Sequence, residues 1–92
     1  MKYTEIVDWM IHICRALAHR AVEQDDEDGV ALYVHAARAF AAIQSKDTNA
    51  IAKGIKEISQ QFTSRPPRSP AEQKALNTIQ AEIKKIERYM AS

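Results

Sequence analysis

The chain has almost none of the residues that build loops, staples or β-hairpins. Its 92 residues include one cysteine, two glycines and three prolines. A single cysteine excludes an internal disulfide and any paired-cysteine metal or redox motif, and it fits a reducing compartment. Two glycines in 92 is far below the usual ~7%, which argues against Gly-rich phosphate loops and hairpin-rich β folds. Long apolar runs are missing as well. The most apolar stretch, 29–45, contains His35 and Arg38 and is shorter than the ~20 residues a spanning helix needs. There is no β alternation of useful length and no internal repeat. A chain this short forms one domain with one small core and no deep substrate cavity.

The N-terminal region holds Lys2 and the small-residue run Ala16-Leu17-Ala18, a loose match to a secretory signal. Glu5, Asp8 and Arg15 interrupt what would be its apolar region. The expectation is a soluble, cytoplasmic protein without a membrane segment.

What is present is helical period. Four segments show it, and the expected architecture is all-α: a single domain over 1–92, a small antiparallel bundle of four helices. The first helix spans about 4–22, with Thr4 as N-cap and a stripe of Tyr3, Ile6, Met10, Ile13, Leu17 and Ala21, widened by Val7 and Cys14. Trp9 and Ile11 lie on opposite flanks of that stripe, so the apolar arc exceeds half the circumference. The second helix spans about 26–45, with Val30, Tyr33, Val34, Ala37, Phe40 and Ala41 in line. The third spans about 48–62 behind Asp47, carries a narrow line of Ile51, Ile55, Ile58 and Phe62, and is weakened by Gly54. Residues 63–69 form a linker around Pro66-Pro67. Ser69-Pro70-Ala71-Glu72 is a capping box with proline at the first helical position. The fourth helix, about 70–90, has a seam of Leu76, Ile79, Ile83, Ile86 and Met90. The linker leaves two further placements open for it, crossing the bundle or swung away.

The net charge of +1 conceals a polarity. Five of the twelve acids fall within 23–28, leaving 13 cations against 7 acids elsewhere. Acids there suit a helix start, where they meet the positive end of the macrodipole. They also form a patch able to steer a basic partner. The basic C-terminal region offers Arg65, Arg68, Lys74, Lys84, Lys85 and Arg88 for phosphate backbone. Against that, Glu72, Glu82 and Glu87 dilute it, and no aromatic interleaves the basic face.

Motifs for chemistry are weak. Setting Gly29 at the sixth position of a calcium loop puts Gln24 first and His35 twelfth, where anchoring carboxylates are needed. His12 and His19 are seven residues apart, ~10.5 Å along a helix, too far to share a metal ion. Arg15-Ala16-Leu17-Ala18-His19 resembles the Arg…His ribonuclease motif of HEPN-type helical proteins, but the intervening run is shorter than that motif needs. Pro67-Arg68-Ser69-Pro70 matches PxxP, yet Pro70 already opens a helix. Cys14 sits in an apolar stripe and reads as core. No catalytic residue, metal site, cofactor or small-molecule substrate is expected.

The second helix is the unusual element, because it lacks a wet side. Opposite its stripe stand Leu32, His35, Ala39 and Ala42, with Ala36 and Ile43 at the margins, and between Val30 and Gln44 the only charged residue is Arg38. Two explanations compete: the helix is central to the bundle, or its second face meets another chain. The leading expectation is a non-enzymatic protein-interaction module, a small cytoplasmic adaptor, accessory subunit or inhibitor, with a homodimer through helix 2 as one form. Its expected contact residues are Leu32, His35, Ala39 and Ile43, aided by Asp25, Asp26 and Asp28. The second reading is nucleic-acid binding through the six basic residues above.

Overall fold

The computed structural model describes the backbone of residues 3–91 and the side chains of residues 4–88. Helix α1 spans Tyr3–Glu23, α2 Glu27–Ile43, α3 Thr48–Gln60 and α4 Pro70–Ala91, with a single 3₁₀ turn at Gln61–Ser64 extending α3. They form an up-down-up-down bundle of 41 × 22 × 19 Å. α1 and α2 pair most extensively, and α4 lies antiparallel across the opening between α1 and α3. The proline linker therefore returns α4 to the bundle. Among the described residues no helix is long and apolar enough to cross a membrane.

One helix start differs from expectation. α1 already includes Tyr3, so Thr4 lies inside the first turn and the cap falls outside the described residues. The other starts are capped as their residues dictate. Asp26 accepts from the Gly29 amide at 3.1 Å, and Asp47 from the Ala50 amide at 2.9 Å. The Ser69 hydroxyl accepts from the Glu72 amide at 3.1 Å. The reciprocal arm of that box is displaced by one residue: Glu72 accepts from the Arg68 amide at 3.1 Å rather than from Ser69.

The acidic run is a tight helix-to-helix connector. Asp25 adopts φ 53°, the left-handed region that ends helices. The Asp26 amide donates to the Ala21 carbonyl at 2.9 Å, and the Asp25 amide to the Val22 carbonyl at 3.1 Å. This is a Schellman closure of α1, made without glycine. Asp26 thus ends α1 with its backbone and begins α2 with its side chain.

The core lines of α1 and α2 are rotated relative to the expected stripes. In α1 the buried line is Val7, Met10, Cys14, Leu17, Ala18 and Ala21, while Ile6 and Ile13 are half-buried flanks. In α2 it is Tyr33, Ala36 and Phe40, while Ala37 is a flank and Ala41 is exposed. Ala36 has no side chain beyond Cβ, so centring it lets the two helices approach closely. The α3 line holds throughout: Ile51, Ile55, Ile58 and Phe62 are all buried. So does the α4 seam of Leu76, Ile79, Ile83 and Ile86, with Met90 outside the described side chains. Phe62, carried by the 3₁₀ turn, tilts against both Tyr33 and Phe40, with ring centroids 5.9 and 6.5 Å away.

Candidate interaction surface

The outer side of α2 is less apolar than its sequence suggests. Leu32, Ala39 and Ile43 are partly buried and pack against the chain's own core, leaving His35 exposed. Ile43 leans on α3, where a Cβ at Gly54 would lie 2.8 Å from its Cδ1. Beyond the acids at its start, the surface α2 offers outward is Ala31, His35, Arg38, Ala41 and Ala42, small or polar and poor in contact area. The lack of a wet side is therefore explained largely by coverage on both flanks within the same chain.

The acids and two of the basic residues find each other. Arg65 reaches Asp26 at 2.8 Å and Glu72 at 2.9 Å. Arg68 also bonds Asp26, and contacts Asp28 at 3.4 Å. Tyr33 donates its hydroxyl to Glu72 at 2.6 Å, and the Arg65 guanidinium lies 6.0 Å from the Tyr33 ring centroid. This clasp ties the start of α2, the linker and the start of α4 together. Burial works to raise the Asp26 carboxyl. The Arg65 and Gly29 hydrogen bonds and the charges of Arg65 and Arg68 outweigh it, so Asp26 stays below the usual carboxylate range. At Glu72 burial is likewise outweighed by bonds from Tyr33, the Arg68 amide and Arg65, and its carboxyl is also lowered. Burial, with help from the Glu72 hydrogen bond and charge, pushes the Tyr33 hydroxyl up.

Asp26 and Arg65 are thus used inside the fold, and Arg68 is drawn to the same carboxylates. Asp25 and Asp28 remain exposed, and Asp25 serves the helix end. Lys74, Lys84, Lys85 and Arg88 are exposed on α4, with Lys85 bonded to Glu82 at 3.1 Å. The six basic residues of the nucleic-acid reading are split between an internal clasp and an outer helix face.

Two grooves open along α4: one toward α3, about 690 Å³ and lined in part by Ala52, Ile55, Ile83 and Ile86, and one toward α1, a trough of about 420 Å³ that carries the exposed Trp9. The trough forms because the flank of α4 toward α1 carries Ala71, Ala75 and Thr78, too small to fill the space. Its floor is apolar, with Ile13, Ala16 and Leu17 on the α1 side. Arg20 and Lys74 stand at one end, and neither makes an ion pair among the described side chains. Trp9, 36% exposed, stands toward the other end. There a smaller cleft of about 210 Å³ continues the trough, lined by Trp9, Ile6, Glu5 and Glu82. Trp9 is the chain's sole tryptophan. Its place on the flank of the α1 stripe was the sequence signal for this surface. What the sequence did not disclose is which flank α4 leaves uncovered.

Among the described residues the trough is lined by one imidazole, His12, and by no cysteine. Cys14 is fully buried in the core, where burial pushes its thiol up to about 12, so it stays protonated and unreactive. His12 borders the trough without a neighbouring His, Cys, Asp or Glu cluster of metal-binding size among the described residues. No family model, curated protein or solved structure matches the chain.

Proposed function

We propose that the protein is a non-catalytic protein-interaction module of the cytoplasm, an adaptor, accessory subunit or inhibitor that engages a protein surface through the α1/α4 trough. The observation that carries this reading is the exposed Trp9 beside an apolar floor with charged ends. Tryptophan and arginine flanking an apolar groove are the residues that supply most binding energy at protein interfaces. The trough displaces the outer face of α2 as the contact surface, because Leu32, Ala39 and Ile43 are already engaged within the chain. Exposed Asp25 and Asp28 retain the capacity to steer a basic partner.

A photo-crosslinking residue at Ala16, in the trough, tests this against the same residue at Ala42, on the outer side of α2. Both positions are exposed. The expected result is a protein adduct from Ala16 and none from Ala42, in cells or native extract. An adduct from Ala42 alone, or none from either, would overturn the reading.

A further inference from the structure

We propose that the occupant of the α1/α4 trough is a second copy of this chain, bound about a two-fold axis. This rests on the reading of the trough as a protein-binding surface and names its partner. The basis is the order of groups along the trough. Glu5 and Glu82 lie at one end, Trp9 next, Ile13 and Thr78 near the middle, and Arg20 and Lys74 at the other end. Glu5, Trp9, Ala16 and Arg20 are spaced by fours and sevens, so they share one face of α1. The span from Glu5 to Arg20 is ~22 Å.

Such a surface is complementary to itself. A two-fold axis perpendicular to the trough, passing beside Ile13 and Thr78, exchanges its two ends. It sets Glu5 of one copy against Arg20 of the other, and Glu82, which within its own chain bonds Lys85 at 3.1 Å, against Lys74. The same operation carries Trp9 onto Ala16. The largest side chain of the face then meets one of its smallest, in the part of the trough that is open. The central residues meet themselves, as an isologous interface requires. A foreign partner would have to match this charge order independently, whereas a second copy matches it by rotation alone. A face ~22 Å long and about two helices wide is at the small end of specific interfaces, so the dimer should be reversible and strongest at low ionic strength.

The test is sedimentation equilibrium of the full chain at low salt, with circular dichroism to confirm folding. Wild type should pass from one-chain to two-chain mass as concentration rises, with a blue shift of Trp9 fluorescence. The double variants Glu5→Lys/Glu82→Lys and Arg20→Glu/Lys74→Glu should each stay folded and associate at least about tenfold more weakly. Mixed in equal amounts they should recover two-chain mass, because one copy is then acidic at both ends and the other basic. Recovery also shows that neither variant is merely damaged. A wild type that stays monomeric overturns the proposal, as does a dimer indifferent to both variants or a mixture that fails to recover. A monomeric wild type whose Ala16 crosslinks to a foreign protein overturns the dimer and leaves the protein-binding reading standing. A monomer with no adduct at Ala16 overturns both.

Discussion

Ser59 and Gly54 each carry a local compromise of the fold. Ser59 is 3% exposed in α3, and its hydroxyl has no hydrogen-bond partner. An unsatisfied buried hydroxyl costs about 1–3 kcal/mol, and alanine is the better helix former. Ser59→Ala should therefore stabilise the protein by about 1 kcal/mol, raising Tm by about 4–8 °C for a domain of this size. A thermal melt with an unchanged or lower Tm would refute that account. Gly54 works the other way. In an open helix its replacement by alanine gains about 1 kcal/mol. Here the new Cβ would meet Ile43 Cδ1 at 2.8 Å and Cγ2 at 3.1 Å. Gly54→Ala alone should thus be destabilising. In an Ile43→Val background, which removes Cδ1, it should turn stabilising by a few tenths of a kcal/mol. Denaturant melts of the four proteins in that cycle measure the sign change.

At the scale of the helix, α2 was the least legible element and α3 the most. In α3 the narrow line Ile51–Phe62 has one possible inward face, and sequence and structure agree on it. In α2, apolar residues and alanines surround the helix, so period alone does not select the inward side. The inward side is the one that buries the two large aromatics, Tyr33 and Phe40, with Ala36 between them. Leu32 and Ile43 then become covered flanks rather than an outer face. Two substitutions separate these cases. Ala39→Glu places a carboxylate at a half-buried position against the core and should destabilise by about 1–3 kcal/mol. Ala42→Glu, on the exposed side, should stay within about 0.5 kcal/mol of wild type. Equal effects in urea melts would mean α2 is not seated as described. The clasp was hidden for a related reason. Its partners Arg65 and Asp26 are 39 residues apart, and charge runs read along a chain do not reveal pairing across it.

For the molecule as a whole, the clasp sets the response to acid. Asp26 and Glu72 both have carboxyls lowered by the fold. Their contribution is complete above the pKa of an unfolded carboxylate, about 4, and is lost as pH falls through the still lower folded values. Stability should be flat through neutrality and drop below about pH 4. In Arg65→Ala the drop should be shallower, from a lower starting Tm, because Arg65 lowers both carboxyls, foremost at Asp26 and behind Tyr33 and the Arg68 amide at Glu72. Thermal melts from pH 2 to 7 compare the two slopes, and parallel slopes would remove Arg65 from that role.

Asp26 closes α1 with its amide, opens α2 with one oxygen, and grips the arginines ahead of α4. One carboxylate thereby ties the reversal between the first two helices to the start of the fourth, whose buried seam of Leu76, Ile79, Ile83 and Ile86 belongs to the common core. Loss of the Asp26 carboxylate would be felt at the starts of α2 and α4 together.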